Sequence, residues 1–289
     1  MKRVSLALAT PLLLVAVACA PADDSGDDEA ADPTPTAADQ CEKDNLALLT
    51  PGTLTVGTDS PAFPPWFVDD DPTNGEGYES AVAYAVAEQL GFTADEVSWV
   101  VVPFNNSYKP GAKNFDFDIN QISITPERQE VVDFSDSYYD AAQAVVALKG
   151  SAGAEATSLD DLHDLRLGAQ TGTTSLTAIR EVIAPTEDPL VFQSTNAAKQ
   201  ALENDQVDAI LADLPTAFYI SAVEIPNSLL VGQFQPDTGE QEQFGMLFEK
   251  GSELVPCVNE ALTALRDDGT LDQIEQQWLS DVVDVPELQ

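Results

Sequence analysis

Three places along the chain put hydrogen-bonding or charged side chains where a strand should end. The first is Asp116 to Tyr139, DFDINQISITPERQEVVDFSDSYY. Its apolar positions Phe117, Ile119, Ile122 and Ile124 alternate, then stop at Thr125-Pro126. Proline suits the first turn of a helix, where its missing N–H costs nothing, and Thr125 can cap that helix. Arg128 then falls in the first turn, where the helix dipole favours anions. A cation there makes sense if an anion comes to sit beside the free N–H groups. The competing reading is a surface arginine paired with Glu130 or Asp133. The second place is the turn QTGTT, Gln170 to Thr174. Gly172 permits close backbone approach, and the N–H groups of Thr173 and Thr174 open a helix, which makes an anion site or an ordinary helix cap. The third is Asp213, which follows DAILA and precedes Leu-Pro; it reads as an N-cap or as a free acceptor at the strand end.

The elements that position these residues are legible from periodicity. LTVGT, 54–58, reads as a strand. A proline-rich loop follows, then a helix over 78–90 with Val82, Val86 and Leu90 at helical spacing and Gly91 at its end. VSWVVVPF, 97–104, and FDFDINQIS read as further strands, so a parallel sheet is expected. AAQAVVAL leaves this first unit after Asp140. A second unit follows, with strands at 166–169, 190–192 and VDAILAD, and helices after QTGTT, from Thr195 to Asn204, and after Asp213. A strand at Gln243-Phe-Gly-Met-Leu-Phe and helices over 252–268 and 271–279 return to the first. The expected organisation is 41–140 and 241–289 as one lobe and 141–240 as the other, each a mostly parallel sheet flanked by helices. Two crossing strands would form a hinge that closes on a ligand.

The ends and the composition narrow the setting. Met-Lys-Arg and an apolar run from Val4 to Ala18 read as a secretory signal, 1–18, too short for a comfortable spanning helix. VAVAC resembles a bacterial lipobox, which would make Cys19 the lipidated first residue. Residues 19–40 contain prolines and acidic residues but no large apolar or basic side chain, and are expected to form a disordered acidic tether. Loss of Lys2 and Arg3 with the signal takes the net charge from −38 to −40. A surface this acidic repels nucleic acid and anionic lipid, so neither is expected as a partner. Of three cysteines, Cys41 and Cys257 are left to pair in an exported protein. With one histidine and no CxxC, no metal site is expected. That histidine, His163, reads as solvated, and neither a Ser-His-Asp nor a Cys-His site can be built around it.

The segment with Ser123, Thr125, Arg128, Asp133, Phe134, Ser135 and Tyr138 in register resembles the signature of the family 3 extracellular solute-binding proteins, the amino-acid receptors of ABC importers. The resemblance runs from Leu54 to Leu279. It implies a two-lobe, type II periplasmic-binding-protein-like α/β fold, monomeric and without a cofactor, held to the outer face of the cell membrane by the lipid and handing its ligand to a membrane permease. A zwitterion buried between the lobes needs donors for its carboxylate and acceptors for its ammonium. The resemblance assigns the carboxylate to Arg128 with Gly172, Thr173 and Thr174, and the ammonium to Asp213, with Ser123 or Gln121 sharing it. It also places an aromatic of the loop after the first strand, Phe63 or Trp66, against the ligand side chain; Asp59 lies on the same loop, and Phe104, Asn105 and Asn106, after the second strand, are expected to line the side-chain pocket. Gln121 stands where a small residue is common; it either narrows the pocket or bonds a ligand amide. Asp59 and the acidic balance lean towards a cationic amino acid; Asn105, Asn106 and Gln121 lean towards an amide. Two other readings stay open: an enzyme on the same fold, similar to cyclohexadienyl dehydratases, with Glu242 or Asp59 as its acid, and a receptor that feeds a sensor.

Overall fold

A computed structural model describes residues 40–236, 241–279 and 285–289; the signal segment, Cys19 and nearly all of the acidic tether lie outside the described residues. β1 (Leu54–Thr58) is buried along its whole length, Thr55 and Thr58 included. It pairs in parallel with β2 (Val97–Val101) and with β3 (Phe117–Asp118). The helix Tyr78–Gln89 buries Tyr78, Val82, Ala83 and Val86, and Gly91 follows it with φ +83°. β4 (Val132–Asp140) ends at the crossing Ala141–Ala142, and β5 (Gln143–Leu148) opens the second sheet. That sheet continues with β6 (Leu167–Gln170), β7 (Leu190–Phe192), β8 (Ala209–Asp213) and β9 (Ser228–Phe234). β10 (Gln243–Glu249) returns to the first, and helices Val255–Asp267 and Thr270–Leu279 cover it.

The strand orders are β2-β1-β3-β10-β4 and β7-β6-β8-β5-β9. As expected of mostly parallel sheets, four strands of each run in one direction, and a single strand in each runs against them. β10 runs antiparallel to β3 and β4, and β5 runs antiparallel to β8 and β9. The physical reason is connection length. Strands joined by helical crossovers stay parallel, whereas β5 and β10 enter their sheets directly from the other lobe and reverse direction. Side-chain alternation fills both faces. Phe244, Met246 and Phe248 pack under the two C-terminal helices, while Leu247 joins Val102, Phe115 and Val132 on the opposite face. In the second sheet Val145 and Ala147 face one core, and Ala144 and Val146 the other.

Two expected boundaries move. The strand expected over FDFDINQIS is only Phe117–Asp118, because the backbone turns at Gln121, whose φ is +47° and whose N–H donates to Glu79 at 2.6 Å. The segment 241–289 does not stay wholly with the first sheet. Gln233 pairs with Glu287, and Leu288 packs into the second core, because the outer edge of β9 offers unpaired backbone groups that the tail satisfies. Cys41 and Cys257 form the expected disulfide, with Cα atoms 5.2 Å apart, and tie the start of the described chain to the helix Val255–Asp267. No helix among the described residues is long and apolar enough to cross a membrane.

Two buried carboxyls lie beneath the turn at Gln121. Glu79 accepts from Gln121 N–H and Nε2 and from Tyr138 Oη (2.5 Å). Asp118 accepts from Ser107 Oγ at 2.9 Å, with Lys113 and Asp59 as neighbouring charges. Desolvation pushes Glu79 up to about 7 and Asp118 up to about 8. The native state therefore holds protons that the unfolded chain has released, and stability falls as pH rises from the ordinary carboxylate range through these values. Urea unfolding should show Glu79→Gln gaining roughly 3 kcal/mol on the wild type between pH 4.5 and pH 8. The disulfide spans 216 residues, so its reduction, or Cys41→Ser with Cys257→Ser, should lower stability by about 2–5 kcal/mol in the same assay.

Candidate functional site

The loops that follow β1, β2 and β3 face those that follow β6, β7 and β8, so the cleft lies beyond the carboxyl ends of the parallel strands of both sheets. A cavity of about 100 Å³ lies there, with walls from both lobes. Asp59, Phe63, Trp66, Phe104, Gln121, Ser123, Thr173, Thr174 and Asp213 all line it. Arg128 and Gly172 stand just behind this wall.

Arg128 sits in a single helical turn, Pro126–Gln129, whose cap is Thr125 as expected; Thr125 Oγ1 accepts from Arg128 N–H at 3.3 Å. The side chain is 8% exposed. Nη1 donates to the Ser123 carbonyl at 2.6 Å, and Nη2 crosses the cleft to the Gly172 carbonyl at 3.0 Å. Its guanidinium carbon lies 4.9 Å from the Tyr108 ring centroid and 5.6 Å from that of Phe104. The surface-pair alternative fails, because Asp133 bonds Lys250 at 2.7 Å instead. Among the described residues no carboxylate lies within ion-pair distance of Arg128. Burial lowers its pKa from the ordinary value, and the nearby Tyr108, Glu242 and Asp213 offset that desolvation only in part.

In the facing turn Gly172 has φ +77°, and a Cβ there would run into Asn105 Oδ1 and Tyr108 Oη. Glycine is required both by conformation and by the approach of the first lobe. Thr173 caps the following helix: its Oγ1 accepts from Leu176 N–H at 3.1 Å and donates to the Gln170 carbonyl at 2.8 Å. Thr174 Oγ1 is 3.2 Å from Ser123 Oγ, a second bridge between the lobes.

Asp213 does not cap its helix through its side chain. Its Oδ1 accepts from Gln143 Nε2 at 3.0 Å, and the same nitrogen donates to Glu242 Oε2 at 2.9 Å. Glu242 Oε1 accepts from Ser123 Oγ at 2.7 Å. Two carboxyls thus share one amide nitrogen. Burial, with the charge of Glu242 next, raises Asp213 well above the ordinary carboxylate range. Gln143 and Glu242 were not among the expected ligand contacts. Their signal was positional: each lies where the chain crosses between lobes. Thr58 Oγ1 and Asn120 Nδ2, both on the cavity wall, are buried without a hydrogen-bond partner among the described residues.

In the loop after β1 the aromatic alternatives separate. Trp66 is 1% exposed, packs among Tyr78, Tyr139 and Phe244, and donates from Nε1 to Thr216 Oγ1 at 2.8 Å. Phe63 is half-buried, and its ring centroid lies 4.9 Å from Lys199 Nζ. Asp59 holds the loops, accepting from Ser60 N–H at 2.7 Å and Phe104 N–H at 3.1 Å. Gln121 gives its Nε2 to Glu79, so its amide nitrogen is held beneath the cleft. Among the described residues no His, Cys, Asp or Glu cluster could hold a metal ion.

Residues 54–281 match the family model described as bacterial extracellular solute-binding proteins, family 3. The L-cystine-binding protein TcyJ of Escherichia coli (strain K12) is 29% identical over 233 residues, 78% of this chain and 82% of that protein. The ABC transporter glutamine-binding protein GlnH of Bacillus subtilis (strain 168) is 30% identical over 217 residues, 73% and 76% of the two chains. Among solved structures, an ancestral arginine-binding protein bound to glutamine superposes with a TM-score of 0.66 at 33% identity, covering 79% of this chain and 98% of its own. The match extends over the strands and loops that build the cleft, and the chain belongs to the family 3 bacterial extracellular solute-binding proteins.

Proposed function

We propose that this protein captures a polar amino acid between its lobes and delivers it to an ABC importer, without transforming it. The observation that carries this reading is the buried Arg128 guanidinium, with no carboxylate in ion-pair distance among the described residues, in the same site as the carboxyls of Asp213, from the other lobe, and Glu242, from its own. An α-carboxylate seated between Arg128 and the Thr173–Thr174 amides would supply the missing anion. An α-ammonium would donate to Asp213, Glu242 and Ser123, and its charge would draw Asp213 back to the ionised form. A ligand with both signs meets the needs of the guanidinium and of the carboxyls together; a simple anion or cation satisfies only one side. Similarity to proteins named for binding cystine, glutamine and arginine supports the class of ligand. We place the mature protein on the outer face of the cell membrane, as a monomer held by lipid on Cys19.

A thermal-shift screen of the protein against the amino acids tests this. A ligand at one hundred times its Kd adds about 2.7 kcal/mol, and its shift should vanish in Arg128→Met and Asp213→Asn, each weakened by at least ~100-fold. No shift with any amino acid would overturn the reading. Gly172→Ala combines a disfavoured φ with a collision against Asn105 and Tyr108. It should hold the lobes apart and raise Kd by roughly tenfold or more, measured by calorimetry.

A further inference from the structure

Beside Phe63 the cavity wall carries a second charged cluster. Lys199, from the helix Thr195–Glu203, donates from Nζ to both oxygens of Glu224, at 2.7 and 2.8 Å. Glu224 closes the turn after helix Leu214–Tyr219. The side chains are only 11% and 26% exposed, and both residues line the same cavity as Ser123, Thr174 and Asp213. The Phe63 ring reaches Lys199 from the other lobe. Tying two helices of one lobe together does not require this pair, since apolar side chains of similar volume stabilise such a contact as well or better than a desolvated ion pair. Its position on the cleft wall gives it another use.

We infer that Lys199 and Glu224 form the side-chain end of the site and select an amino acid whose far end carries both signs, a diamino-dicarboxylic acid with a second amino-acid head. This rests on the reading that Arg128 and Asp213 hold the first head. The selection follows from charge balance. A cationic side chain would have to share Glu224 with Lys199, leaving two cations on one carboxylate. An anionic side chain would put two carboxylates on Lys199. An amide or apolar chain brings no charge to replace the water that closure removes from the pair. A second zwitterionic head inserts its carboxylate at Lys199 and its ammonium at Glu224, so that opposite charges alternate and none is left over. Phe63 then covers the stem that joins the two heads.

Calorimetry on the protein with L-cystine and meso-diaminopimelate, set against arginine, glutamate and glutamine, tests this. The expected result is at least tenfold tighter binding of the two-headed compounds. In Lys199→Met and Glu224→Gln the ratio of two-headed to one-headed affinity should fall at least tenfold. The paired change Lys199→Met/Glu224→Leu keeps the wall filled and neutral; it should turn preference towards apolar amino acids, with circular dichroism confirming the fold. One-headed amino acids binding as tightly as two-headed ones, or an unchanged ranking in the paired variant, would overturn the inference and leave the receptor reading standing. If no amino acid of either kind binds, both fall.

Discussion

Charge taken out of water must be balanced, and the two lobes are built around that constraint. The first lobe brings Arg128 and Glu242 to the cleft and the second brings Asp213. The opposite charges are not allowed to collapse onto one another. Arg128 is spent on two carbonyls, and the two carboxyls are held by Gln143 and Ser123. A direct Arg128–Asp213 pair would have to be broken before either group could meet a ligand. Neutral donors and acceptors instead hold each charge in place while leaving its electrostatic demand open. The raised pKa of Asp213 expresses that demand in the second lobe, as the lowered value of Arg128 does in the first.

Chain topology explains why so few residues suffice. β5 and β10 are the strands that enter their sheets from the opposite lobe, so their first residues lie at the hinge and at the cleft at once. Gln143 opens β5, and Glu242 immediately precedes β10. Ala141 N–H donates to the Glu242 carbonyl at 2.8 Å, which fixes the two crossings side by side. Ser123 also bridges to Phe244 in β10. The hinge and the polar floor of the site are therefore one structure, and a ligand that draws on Glu242 acts on the element about which the lobes turn.

Much of the site was readable in the sequence because local rules act there. Thr125-Pro126 fixed a helical turn for Arg128, and Gly172 between strand and helix marked a backbone that must approach something closely. What stayed hidden depends on contacts between distant segments. β3 shrinks to two residues because Glu79, from a helix some forty positions earlier, captures Gln121 N–H; no periodicity announces that. Trp66 and Phe63 have similar local surroundings, and only the presence of Tyr78, Tyr139 and Phe244 decides that the tryptophan is core. The Lys199–Glu224 pair joins two helices whose residues lie 25 apart, beyond any helical spacing. The mixed sheets follow from where the chain crosses between lobes, a property of the whole path rather than of any strand.

Among the described residues, side-chain bonds that cross between the lobes include Trp66 to Thr216, Arg128 to the Gly172 carbonyl, Ser123 to Thr174, and Gln143 to Glu242. A typical hydrogen bond contributes about 1 kcal/mol net, and closure must also order side chains and desolvate the charges behind it. Each such bond is therefore small beside those costs. A ligand can shift the balance of open and closed forms only by as much as it binds one form better than the other. Here the differential is electrostatic. On the proposed reading, the charges of Arg128, Asp213 and Glu242 are better satisfied by a zwitterion held between both lobes than by one resting on either lobe alone. Were Arg128 and Asp213 already paired across the cleft, closure would need no ligand; on the proposed reading, the open demand at the centre of the site is what ties closure to occupancy.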